Sequence, residues 1–182
     1  MAFEIKKMRK FFLIGFILFT LTLYPNLAYA SSSYVLPYPS AMPGSLLYRP
    51  RLFLETLQKY WYFGNLGQFK YNLKESDKYL VEAKTLFEYN QYLHASSASL
   101  KYSDEFFIRT LPFLEKAKNE GKDISEMRKT LREASSKHIE VLKKLSNELP
   151  QEFEWKAEKE KPILIHIRKE IEKSISIRTK YL

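Results

Sequence analysis

The sequence predicts an all-α fold, an up-down bundle of about four helices with an N-terminal extended strap and a C-terminal amphipathic helix. Three observations carry that prediction. Apolar residues recur every seven positions along most of the chain, the spacing that keeps side chains on one face of packed helices. Gly64, Gly67, Gly121 and Pro150 separate those columns into helix-length segments, with Pro112 standing inside one of them. One stretch near the end of the chain could alternate as a strand does, but no other segment offers itself as its partner.

Residues 1–30 read as an export signal and are set apart from the fold. Lys6, Lys7, Arg9 and Lys10 make a basic start, and residues 11–24 form an uncharged apolar run. That run is shorter than the ~20 residues that span a bilayer comfortably. Pro25 breaks it, and Ala28, Tyr29 and Ala30 offer the small-x-small pattern that predicts a cut after Ala30. Residues 11–30 carry no charge, so an uncleaved membrane anchor is the alternative. On either reading the rest of the chain is expected outside the cytoplasm, as a secreted, periplasmic or cell-surface domain. Without a single cysteine the fold has no disulfide to rely on, and its hydrophobic core must hold it alone.

The chain carries a formal net charge of +9, with the signs interleaved through residues 31–182. An exported basic chain would meet an anionic surface polymer or lipid sooner than nucleic acid, which is not an expected partner. A lysine-rich solvated helical surface is the plainer explanation of the same charge.

Residues 31–49 form a Pro/Tyr-rich strap, whose prolines lower the entropy lost when an extended segment is ordered. Its tyrosines are expected to lie in a helical groove and to cover the aromatic end of the first helix. The bundle itself is expected over residues 50–149. A first helix over 50–63 has Leu47, Leu54 and Trp61 in one column, with Pro50 in the first turn, where its missing N–H costs nothing. A second over 66–89 has Leu66, Leu73, Leu80 and Phe87 in its column, and a third over 92–119 has Leu93, Leu100, Phe107 and Leu114. Beside the third column runs a small polar one, Ser96, Ser103 and Thr110, which lets a neighbouring helix approach closely. Pro112 predicts a kink or restart near Leu111, and Gly121 a helix C-terminus. Asp123 and Glu126 resemble a capping box opening a fourth helix that runs to Glu148, with Ile124, Leu131, His138 and Leu145 in its column. Residues 150–182 are a charged linker and a C-terminal helix. The isoleucines at 163, 167, 171 and 175 suit a helix, whereas 163, 165 and 167 also suit a strand; helix is preferred for want of a partner strand.

The stretches PGSLLYRPRLFLETL and LKESDKYLVEAKTLFEYNQY resemble an uncharacterised family of exported bacterial helical domains, the domain of unknown function DUF5667. Pro43, Gly44, Ser45, Leu47 and Tyr48 match its lead-in, and Lys78, Leu80, Glu82 and Ala83 its second-helix signature. The resemblance covers residues 43–107 and implies a helical fold outside the cytoplasm. It implies no site.

No motif for chemistry stands out. Of the histidines, His94, His138 and His166, none belongs to a paired-ligand helix motif. A ligand or metal site in the bundle near His138 is one alternative, and a core histidine bonded to a serine of the third helix is the plainer one. No serine sits in a glycine-flanked elbow, and no glycine-rich loop could cradle a phosphate. No catalytic, cofactor or metal residue is therefore assigned. Tyr60, Trp61, Tyr62 and Phe63, or Phe153 and Trp155, could stack on a glycan, whereas ordinary packing predicts that both tryptophans are shielded. The functional expectation is a non-catalytic, exported, envelope-associated module that binds another macromolecule, an envelope protein or a second copy of itself. The candidate contact residues are Tyr60, Trp61, Tyr62, Ile167, Ile171 and Ile175.

Overall fold

The computed structural model describes residues 34–156 and 161–182, so the expected signal segment and the first residues of the strap lie outside it. What it describes is predominantly helical: α1 Tyr48–Gln58, α2 Gly64–Glu88, α3 Lys101–Asn119, α4 Ser125–Glu148 and α5 Ile167–Thr179. A two-stranded sheet, β1 Phe153–Trp155 and β2 Ile163–Ile165, stands between α4 and α5. Among the described residues no helix is long and apolar enough to cross a membrane.

The columns of α2, α3 and α4 are buried as their periodicity requires. Leu80, Phe107, Leu114 and Leu142 are wholly shielded, and they fall into two separate apolar clusters. One gathers Leu80, Phe87, Leu100 and Leu142 with Ile167 and Ile171. The other gathers Phe69, Leu73, Phe107, Leu114 and Leu131. Between the two, α2, α3, α4 and α5 each contribute buried polar residues: Ser76 and Asp77 from α2, Ser103 and Asp104 from the start of α3, His138 from α4, Ser174 and Arg178 from the latter half of α5.

The small column of α3 does admit close approach. Ser103 donates to the Ser76 carbonyl and Ser76 to the Ser103 carbonyl, both at 2.9 Å, which ties the two helix backbones together. α3 does not restart at Leu111; it runs through Pro112, and the irregular stretch lies upstream, where a π-helical segment Ala95–Leu100 follows the short turn Tyr92–His94. There Ser96 and Ser97 return their hydroxyls to carbonyls one turn back, a local competition with the helical ladder. Gly121 has φ +77°, as a helix-terminating glycine should. Asp123 accepts from the Ser125 N–H at 2.9 Å, so the expected cap forms two residues on and not as a full capping box.

The tail combines both of its readings. β2 pairs antiparallel with β1 in the register Phe153↔Ile165 and Trp155↔Ile163, and α5 starts immediately afterwards. The partner strand that the sequence seemed to lack is three residues long and sits inside the charged linker.

The strap takes a different course from the expected one. Tyr34 donates to Asp77 Oδ2 at 2.5 Å, while Leu36 and Met42 pack on the first cluster. It therefore crosses α2 and leaves the aromatic end of α1 uncovered: Tyr60, Trp61 and Phe63 are all exposed.

A candidate docking face on the first helix

α1 has its polarity reversed. Its one buried residue is Glu55, and the column Leu47, Leu54 and Trp61, expected in the core, faces water instead. The cause lies on α2, whose facing residues are charged. Arg51 reaches Glu82 Oε2 at 2.6 Å and Glu55 at 3.0 Å, and it also donates to Ser40 and the Ala41 carbonyl. Lys78 lies 2.7 Å from Glu55 Oε2 and also pairs with Glu75. Gln58 then meets Lys74, and Tyr62 lies on Tyr71 with ring centroids 5.5 Å apart. The pairings 51 to 82, 55 to 78, 58 to 74 and 62 to 71 descend along α2, so the two helices run antiparallel.

Two cations thus bridge three carboxylates in a partly dry seam. Burial pushes the Glu75 carboxyl above the usual range despite the pull of Lys78. Burial likewise raises the Tyr71 phenol to about 12, with Glu75 and Glu55 adding to the effect. Once this ionic side is turned inward, helical geometry sends the opposite side outward. Pro50, Phe53, Leu54, Leu57, Tyr60 and Trp61 follow the one-face spacing of a helix, with Leu46 and Phe63 beyond its two ends. Leu46 is 97% exposed, Phe63 84% and Trp61 69%. The tryptophan shielding expected from ordinary packing does not hold for Trp61. Tyr62 differs from its neighbours: it points back at α2 and is half-buried.

His138 also differs from expectation. It is wholly buried, and its bonds go to Asp77 and Arg178, not to a serine of α3. Arg178 Nε donates to His138 Nδ1 at 3.0 Å, which leaves Nε2–H to donate to Asp77 Oδ1 at 2.7 Å. The same guanidinium donates to Asp104 Oδ1 at 2.5 Å and to Ser103 Oγ at 2.8 Å, and Ser174 donates to Asp104 Oδ2 at 2.7 Å. Burial pushes the pKa of the imidazole down, with Asp77 opposing and Arg178 reinforcing the shift. Both ring nitrogens are occupied, and every carboxylate oxygen of Asp77 and Asp104 has a donor. Such a set locks four helices and the strap together, with no nitrogen of the ring and no carboxylate oxygen left without a partner. Among the described residues no group of three or more His, Asp or Glu side chains stands close enough to share a metal ion.

The lead-in, the α1 to α2 connection and the α2 signature lie in one continuous run, and the family profile for a domain of unknown function, DUF5667, matches residues 40–152. The chain belongs to the DUF5667 family. No curated protein matches it, and no solved structure does either. The DUF5667 span holds all of α1 to α4, including the outward face, while both strands of the hairpin and α5 follow after it.

That division matters for the other candidate residues. Ile167 and Ile171 on α5 are wholly buried in the first cluster, and Ile175 packs against the same cluster. The isoleucine face thus docks on its own bundle and is not free for a partner. Of the six sequence candidates only Tyr60 and Trp61 stand exposed together. Sequence reasoning passed over Phe53, Leu54 and Leu57, the middle of the face. A clue existed: from Tyr34 to Lys74 the only acidic residue is Glu55, four positions after Arg51, so any ionic side of this helix had to include that pair.

Proposed function

We propose that the chain is a non-catalytic, exported, envelope-associated module that acts by binding another macromolecule through the outward face of α1. The observation that carries this reading is the reversed helix. A contiguous apolar stripe with leucines along it and aromatics at one end is held outward by a charged seam that could have been exposed at far lower cost in free energy. Export is supported by the basic start, apolar run and Ala-Tyr-Ala pattern of residues 1–30.

The test is site-specific photocross-linking in the intact envelope. A benzophenone side chain at Leu57 should give a macromolecular adduct, and the same group at Lys129, exposed on α4, should give none. Equal and negligible adducts at both positions would remove the docking reading.

A further inference from the structure

Resting on the reading of α1 as a docking face, we infer that its occupant is an anionic lipid bilayer surface, into whose headgroup boundary the stripe of Phe53, Leu54, Leu57 and Trp61 inserts. Three features of the chain select lipid over protein.

The first is the sign of the rim. Arg49 on α1 and Lys59 just past its end border the stripe and are exposed. Beyond them on α2 stands Lys74, also exposed, bonded to Gln58 and 5.9 Å from the Tyr62 ring centre. No exposed carboxylate opposes them between Tyr34 and Lys74, because Glu55 is turned inward onto Arg51 and Lys78. A protein interface ordinarily mixes both signs at its rim. The cations along the edge of α1, with no carboxylate of its own segment exposed beside them, complement a surface of lipid phosphates. They also disfavour a second copy, since a two-fold interface would set like charges against each other.

The second is the composition of the stripe. Leucines and a phenylalanine occupy its length, while Tyr60, Trp61 and Phe63 cluster at one end. Tyrosine and tryptophan are the residues that settle where acyl chains meet headgroups. A basic-rimmed apolar stripe on one helix is the pattern of helices that lie in that boundary, buried about 5–10 Å deep.

The third is the chain upstream. The uncharged apolar run at residues 11–24 is preceded by Lys6, Lys7, Arg9 and Lys10 and delivers the chain to a membrane, whether or not it is later removed. The domain therefore begins its life beside a bilayer, with the outward apolar face of α1 lying in the described segment nearest that run in sequence.

The experiment uses the full chain with Trp155→Phe, so that Trp61 is the single tryptophan, reconstituted into phosphatidylcholine vesicles with and without phosphatidylglycerol. Any anchoring by residues 11–24 holds the chain on the vesicle in either case, and Trp61 emission reports the face alone. With phosphatidylglycerol present, lipids brominated near the headgroup should remove about half of the Trp61 emission and aqueous iodide little of it. Leu57→Asp, or raised salt, should restore iodide quenching, while an unchanged melting curve shows Leu57→Asp still folded. Trp61 open to iodide and untouched by bromolipid overturns the inference. So does shielding from both quenchers, which would mean a protein occupant or a second copy. A protein adduct at Leu57 together with lipid-insensitive Trp61 emission rejects the bilayer and keeps the docking reading; no adduct and no lipid quenching reject both.

Discussion

Arg178 shows how much one side chain can decide in this fold. It is wholly buried, and its guanidinium serves His138, Asp104, Ser103 and the Ser174 carbonyl. Removing it would leave Asp104 charged and short of a cation in a dry layer. Arg178→Ala should therefore lower the unfolding free energy by about 3–5 kcal/mol. Arg178→Lys should recover only a part, because a single ammonium cannot reproduce a planar fork with several partners. Urea unfolding checks both, and a loss below about 1 kcal/mol for the alanine variant would show that the layer is wet. Nothing in the sequence marked Arg178, since its side-chain partners stand 40 to 75 positions away. His138 was legible as a misfit because it interrupts an otherwise apolar column; its partners were not. Gly67 is a second residue whose role only the coordinates reveal. A Cβ there would lie 2.8 Å from the Tyr62 carbonyl carbon. Gly67→Ala should thus destabilise by thermal melt, although the same change at an open helical position gains about 1 kcal/mol. A rise in melting temperature would mean that the chain before α2 can move aside.

At the level of elements, α1 and α2 obey one periodicity and opposite rules. Leu80 on α2 is wholly buried, and Leu80→Ala should cost about 2–5 kcal/mol. Leu57 on α1 is 40% exposed, and Leu57→Gln should change stability by no more than about 0.5 kcal/mol while abolishing docking. Parallel urea titrations of the two variants settle the comparison; similar losses would mean that α1 is packed by its apolar side after all. Periodicity reports that a helix has an apolar face, but not which way that face points. For α2, α3 and α4 the inward direction follows because several such faces find one another. For α1 the charges of Arg51 and Glu55 find Lys78 and Glu82 first. The tail fails for a different reason. Three residue pairs make a hairpin too short to carry a pattern, and it is stable here because Ile165 is buried in the first cluster.

Across the whole molecule, the polar layer divides two apolar clusters and sets the register of α2, α3, α4 and α5, since a shift of one turn in any of them would strand a charge in hydrocarbon. The layer also makes stability depend on pH. His138 is held below its ordinary pKa in the folded state by burial. As pH falls below about 6.5, the unfolded chain takes up a proton that the folded chain refuses. Stability is therefore full above that value and declines below it, with a slope of up to about 1.4 kcal/mol per pH unit. Glu75, held above its ordinary range, acts with the opposite sign and loses stability as pH rises through that range. Comparing the chain with His138→Gln at each pH cancels Glu75, and the variant's urea midpoint should vary less between pH 7 and pH 5. Identical slopes would show that Asp77 and Arg178 rearrange to accept the imidazolium.

The sequence by itself determined the helical class, the spans of α2 and α4, the buried columns of α2, α3 and α4, the polar α3 face that meets α2, and the family, because these depend on spacing within a single helix and on residues close together in the chain. Only the tertiary structure decided the outward turn of α1, the path of the strap across α2, the pairing of β1 with β2, and the meeting of Tyr34, Asp77, His138, Arg178 and Asp104. Each of those depends on which charges and hydrogen-bond partners meet across long stretches of chain. A buried charge must find its counterpart wherever the fold places it, and that condition overrides the preference of any one helix for hiding its leucines.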